Sequence, residues 1–216
     1  MRFSVLRSRI VWSVLFFAVS ALGQNPEAQA SLLDELNSVM PAVVNLEIIG
    51  PLHVHKGKTG KIHPAKSRGS GFIISDDGLI LTNEHVVGKA KTIHVHFQDG
   101  TKRVATRLGT DAEADVALLQ VDLSGMSIIP LELDESDDVQ PGMPVIAIGN
   151  PKGLHHSVSA GIVSGLHRDT IRPRKGHRYS DFIQTDTAIN KGSSGGPLLS
   201  SEGKVIGMVT AIKKNS

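Results

Sequence analysis

A chain of 216 residues with 40% hydrophobic content can build one compact domain or two small packed halves. Its formal charge of +2 vanishes once residues 1–30 are set aside, because that stretch holds three arginines and one glutamate. No global basic field therefore argues for nucleic acid, and the absence of cysteine excludes disulfides, thiolate catalysis and cysteine-ligated zinc.

The chain opens with Arg2, Arg7 and Arg9, followed by an apolar run from Ile10 to Leu22 that is too short for a comfortable membrane span. Small-residue sites follow at Ala21-Leu22-Gly23 and Ala28-Gln29-Ala30. This pattern predicts a secretory signal peptide over 1–30, cleaved after Gly23 or Ala30; an uncleaved anchor is the alternative. Residues 31–216 are expected to form the mature domain, without stable membrane insertion. Ser31–Met40 predicts a short helix, with Ser31 as cap, Asp34 and Glu35 in the first turn and Pro41 as stop.

Beyond Pro41 the pattern changes to short β-rich runs separated by Gly, Asn, Asp and Pro. These runs are Val43–Ile48, Phe72–Ile74, Leu79–Thr82, Thr92–Phe97, Arg103–Thr106, Val116–Val121, Val145–Ile148, Val158–Val163, Pro197–Leu199 and Val205–Val209. Such spacing predicts an all-β sandwich or barrel and not βαβ units. Pro51–Ser67 and Arg168–Arg178 are basic and loop-like, and the acidic stretch Asp122–Val139 is positioned to join two halves.

The sharpest motif is Asn190-Lys191-Gly192-Ser193-Ser194-Gly195-Gly196-Pro197. Glycines around a serine permit unusual backbone angles and let amides converge on one point, as an oxyanion hole requires. The same residues fit G-x-S-x-G, the nucleophile elbow of α/β-hydrolases, but that fold places its acid and histidine after the serine. No Asp and no His follows Ser194. A base must then come from upstream, in the His…Asp…Ser order of a chymotrypsin-type double β-barrel. His85 is the candidate, because Leu81-Thr82-Asn83-Glu84-His85-Val86-Val87 places it where the chain turns after two strand-like runs. Asp115 is the last acid before the apolar run Val116–Val121, with Asp111 and Glu113 read as a solvated acidic turn.

Gly69–Val87, Ala114–Val121 and Gln184–Leu199 together resemble the HtrA (DegP-like) serine proteases of the trypsin-like superfamily. Gly149-Asn150-Pro151 and Val158–Ser164 add to the likeness, which covers roughly residues 31–212. It implies a double β-barrel with halves near 31–125 and 140–216. His85 would be general base, Asp115 its orienter and Ser194 the nucleophile, with an oxyanion hole from the amides of Gly192, Ser193 and Ser194. It further implies a serine endopeptidase of the bacterial periplasm, acting on unfolded or damaged exported proteins, without cofactor and commonly as a homotrimer built through N-terminal segments. Residues 187–191 are expected to help line the primary pocket.

Two departures stand out. Ser193 occupies a position where family members usually have Asn. The family domain ordinarily continues past the point where this sequence stops, with a pocket loop, another strand, a helix and often a PDZ domain; the expectation is a second barrel short of its last strand. A catalytically impaired scaffold or chaperone that binds unfolded chains is accordingly the alternative function. A third reading, an exported metal-binding protein, rests on His53, His55 and His63 and on the alternating pair His94 and His96. Gly57-Lys58-Thr59 is not the end of a phosphate loop, since the required upstream glycine is Leu52.

Overall fold

The structure is a computed structural model that describes residues 26–54, 62–135, 138–149, 157–168, 181–190 and 192–210. The chain divides into two units between Ser38 and Val39. The described part of the first unit, residues 26–38, belongs to one helix, α1 (Pro26–Val39). The described helix includes Pro26, upstream of the expected start at Ser31. A single 3-10 turn, Met40–Ala42, holds the Pro41 that was expected to stop the helix.

The second unit opens with a closed antiparallel barrel. In chain order it contains β1 (Val43–Val54), β2 (Ile62–Ile73), β3 (Leu79–Thr82), the one-turn helix α2 (Glu84–Val87), β4 (Thr92–His96), β5 (Lys102–Asp111) and β6 (Val116–Gln120). The strands close in the order β1-β2-β3-β6-β5-β4. Alternation is plain on β3, β4 and β6, where every second residue is buried. That two-residue period sends Ile80, Ile93, Val95, Ala117 and Leu119 inward to meet Leu46, Ile48 and Phe72. The loop expected over Pro51–Ser67 is corrected at both ends. β1 and β2 run on as a hairpin whose register reaches Val54 opposite Ile62. Its polar composition concealed it, because a ladder is built from backbone groups and needs no apolar side chain.

A second sheet follows: β7 (Pro144–Gly149), β8 (Ser157–Arg168), β9 (Phe182–Thr185), β10 (Pro197–Ser200) and β11 (Val205–Met208). Its order is β11-β10-β7-β8-β9, a curled, open half-barrel among the described residues, around Val145, Ala147, Val163, Leu198 and Val209. The expected double-barrel architecture is thus present as one closed barrel and one open sheet. β9 was not among the expected strands; its four residues alternate too briefly to mark a period. The acidic connection does bridge the halves. Leu131 N–H donates to Ile73 O (2.9 Å) on the first barrel, while Val205 N–H donates to Glu132 O (2.8 Å) and Asp134 N–H to Val205 O (2.9 Å) on the second.

Leu119 is fully buried in the first barrel, on the inward face of β6. Leu119→Ala is expected to lower the free energy of unfolding by about 2–5 kcal/mol through lost burial and the cavity left behind. Urea unfolding of parent and variant, followed by circular dichroism, checks this value.

Candidate active site

β3 ends at Thr82, and Asn83, in extended conformation, leads into α2, which carries His85. Asp115 ends the turn between β5 and β6. Its backbone is left-handed (φ 55°), a conformation that aspartate tolerates better than most residues. The carboxylate is almost fully enclosed, with 1% of its surface exposed, and both its oxygens are spent on His85. Oδ1 accepts the His85 backbone N–H at 2.9 Å, and Oδ2 lies 2.7 Å from Nδ1. A carboxylate only accepts, so Nδ1 carries the proton and Nε2 is the nitrogen able to take one. The Asp115 carbonyl meanwhile accepts Glu84 N–H at 3.1 Å, which locks the Asp115 turn against α2.

Ser194 lies on the other half, in the turn between β9 and β10. The turn is held by Ser193 N–H to Asn190 O (3.0 Å) and Gly196 N–H to Ser193 O (2.9 Å). It is tied to the end of β11 by Gly195 N–H to Val209 O and Val209 N–H to Gly196 O, both 2.8 Å. Gly195 has φ 85°, and a Cβ there would collide with Ser70 O and Thr82 Oγ1, so only glycine fits. Ser194 O accepts Ser70 N–H at 2.8 Å, which seats the turn on β2 of the first barrel. Gly69 shows how near the His85 and Ser194 segments come: a Cβ on it would clash with Val86, the residue after His85, and would lie 3.3 Å from Ser194 O. Asp115 and His85 are thus bonded to each other, and the turn that carries Ser194 is seated on β2 beside the segment that follows His85.

Of the three amides expected to form an oxyanion hole, that of Ser193 donates to Asn190 O at 3.0 Å. Among the described residues, the amides of Gly192 and Ser194 donate to no protein acceptor. Ser193 itself is buried (8% exposed). Its side chain borders a cavity of about 110 Å³ that Ala147, Gly149, Val158, Ala188 and Ile189 also line.

The sequence profile of the trypsin-like peptidase domain matches residues 69–208, a span that contains His85, Asp115 and Ser194. The chain belongs to the trypsin-like peptidase family. A probable periplasmic serine endoprotease DegP-like of Halomonas elongata is 46% identical over 156 residues, covering 72% of this chain and 32% of that protein. The serine protease HTRA1 of Xenopus tropicalis is 41% identical over 179 residues, 83% of this chain and 38% of its own length. Among solved structures, a variant of the HtrA-type protease AlgW with a decapeptide superimposes with a TM-score of 0.76 at 33% identity, covering 86% of this chain and 59% of that one. These likenesses place this trypsin-like peptidase in the HtrA branch. It spans about a third of the length of either of the two relatives.

Three residues of the peptidase site were not singled out in the sequence. Asn83 is buried, and its Nδ2 donates both to Asp115 O (3.1 Å) and to Thr210 Oγ1 (3.0 Å), so one amide joins the acid's turn to the second sheet. Ser70 donates from Oγ to Gly192 O at 2.9 Å. Adjacency to His85 was the available signal for Asn83, and the glycines on either side of Ser70 were the signal there. Asp111, read as part of a solvated turn, shapes the turn that presents Asp115, since its Oδ1 accepts the amides of Glu113 (2.8 Å) and Ala114 (3.0 Å).

The metal reading finds little support. His94 and His96 share the outer face of β4 with Glu47 opposite, but the Glu47 carboxylate is met by Lys102 at 3.1 Å and Lys66 at 3.8 Å, as well as by His96 at 3.3 Å. Hydrogen bonding to Lys102, more than any other contact, holds Glu47 below the ordinary carboxylate range, and burial pushes His94 down. Two ammonium groups at the shared carboxylate oppose a cation. Among the described residues no group of three or more His, Asp or Glu converges as metal ligands. His55 lies outside the described residues, as do the side chains of His53 and His63.

The Ala114 and Glu113 amides hold Asp111 below its ordinary value of 3.8. A depressed carboxylate stabilises the fold above that value, and the contribution is lost as pH falls through the lowered one. Asp111→Ala is therefore expected to melt below the parent at neutral pH, with the gap closing as pH falls below the ordinary aspartate value. Thermal scans of the two proteins across that range check the sign.

Proposed function

We propose that this chain is a serine endopeptidase in which Ser194 is the nucleophile, His85 the general base and Asp115 the group that orients and stabilises His85. The observation that carries the reading is the buried Asp115 carboxylate bonded to both the backbone and the ring of His85, with Nε2 left to take a proton. Nε2 takes the Ser194 hydroxyl proton as Oγ attacks a peptide carbonyl, and returns it to the departing amine. The acyl-enzyme is released by water through the same proton route, so proton and electron pair balance in each half-reaction. The amides of Gly192 and Ser194 serve as the oxyanion donors.

The substrates proposed are unfolded or damaged exported proteins. Support comes from the DegP-like periplasmic endoproteases among the relatives and from the peptide complexes among the structural neighbours. Export rests on the arginine-led apolar start, with cleavage after Gly23 leaving α1 whole and cleavage after Ala30 falling inside it. Among the described residues no helix is long and apolar enough to cross a membrane. A homotrimer is the assembly proposed, to be read by light scattering of the purified protein.

A fluorescent fluorophosphonate is expected to label the parent and to leave Ser194→Ala and His85→Ala unlabelled. Fluorescein-labelled casein is expected to be cleaved by the parent alone; casein bound without cleavage by a folded parent would instead establish the scaffold. In Asp115→Asn the ring loses the acceptor that sets its tautomer, and kcat is expected to fall by about 10⁴ with little change in KM.

A further inference from the structure

We propose that Ser70 is a positioning residue that holds the oxyanion-binding turn in shape, an inference that rests on the endopeptidase reading above. Ser70 lies on β2, between Gly69 and Gly71, with none of its surface exposed. Its backbone and side chain all engage neighbours. The N–H donates to Ser194 O at 2.8 Å, the carbonyl accepts Thr82 Oγ1 at 2.7 Å, and Oγ donates to Gly192 O at 2.9 Å.

The last of these bonds is the informative one. Gly192 O and Ser193 N belong to a single peptide unit. That unit is gripped on both sides, its carbonyl by Ser70 Oγ and its N–H by Asn190 O. The two amides left without a protein acceptor, Gly192 and Ser194, belong to the peptide units immediately before and after it. Each is related to the gripped unit by one residue's φ and ψ, so the gripped unit sets the direction in which both amides point. Gly192 has φ 106°, open only to glycine, and glycine gives the unit freedom to rotate. The buried Ser70 hydroxyl opposes that rotation, since turning the carbonyl away breaks a hydrogen bond where no water substitutes for it.

The bonds described for Ser70 all go to backbone groups and to Thr82 Oγ1. Its contribution is pre-organisation: two donors held where charge develops on the attacked oxygen, which raises the rate of the chemical step and leaves ground-state binding alone. A hydroxyl that served only the stability of β2 would have no such selectivity.

The test compares the full chain with Ser70→Ala, Ser70→Cys and the core variant Ile80→Val. Readouts are kcat and KM on an internally quenched peptide, the inhibition constant of a peptide boronic acid, and the melting temperature. Ser70→Ala is expected to lose about 10- to 100-fold in kcat at unchanged KM. Boronate affinity should fall by the same factor, because the tetrahedral adduct uses the same amides. Ser70→Cys, which keeps a weak donor of similar size, should fall between parent and Ser70→Ala, and it decides the matter alone if Ser70→Ala does not fold. Ile80→Val should melt lower while retaining parental kcat. Values of kcat and boronate affinity in the Ser70 variants within twofold of the parent would overturn the proposal. So would a loss that appears only in KM, or one that Ile80→Val reproduces at equal melting temperature. A folded parent that neither takes the fluorophosphonate nor cleaves the peptide overturns the endopeptidase reading and this proposal together; parental cleavage by Ser70→Ala overturns this proposal only.

Discussion

Ser194 and His85 stand on different halves, so the proposed chemistry depends on a short seam of hydrogen bonds that joins β2 and the end of β3 in the first barrel to the turn before β10 and the end of β11. Ser70 N–H to Ser194 O, Ser70 Oγ to Gly192 O and Asn83 Nδ2 to Thr210 Oγ1 belong to it. Net energies of such bonds are modest, about 0.5–1.5 kcal/mol each, but breaking one in a buried place leaves a group unsatisfied at greater cost. The seam is therefore better understood as a device for register than as a source of stability. Glycines at 69 and 195 let the segments approach closely enough for it to form.

On the first-barrel side, the acid is prepared by its own loop. Asp111 caps two amides, the chain turns, and Asp115 emerges with a left-handed backbone and a carboxylate shut away from water. A buried carboxylate is costly unless paired, and this one is paired twice, through one residue, with no oxygen left over. Backbone and ring of His85 are held by the same group, so the imidazole has little freedom about its χ angles. The strain of the left-handed residue is compensated by the two bonds that follow from it, which accords with strained residues clustering at functional sites.

The two sheets are unequal. The first closes on itself, with the β1–β2 hairpin running on past the closure, while the second is an open sheet among the described residues, with β11 and β9 at its two borders. The connecting segment runs parallel to β11 at Val205 and covers that part of the border. The same segment bonds to Ile73 at the end of β2, so the link between the halves and the seam at the active site both lean on one strand. A single long β2 thus carries the hairpin with β1, the link to the connection and the seat of the nucleophile turn.

Much of this was legible beforehand. The period-two runs announced most strands, because half-buried strands must alternate, and the order His85, Asp115, Ser194 excluded the rival serine-hydrolase fold on chain direction alone. Other features were not legible. The β1–β2 extension over residues 51–54 and 62–67 is broken up by Pro51, Pro64 and polar residues, which read as a loop, and only the backbone ladder shows the pairing; β9 is too short to show a period. Asn83, Ser70 and Asp111 are small polar residues of common type, and nothing in their order says which distant carbonyl they will meet. The Ser193 amide is the plainest case. Its neighbours in sequence made it look equivalent to those of Gly192 and Ser194, yet the turn aims it back at Asn190 O. Residue type and spacing determined which chemistry this chain could host. Which donors point at the reacting atom was decided only in the folded state, because direction is a property of φ and ψ and of contacts between residues far apart in the chain.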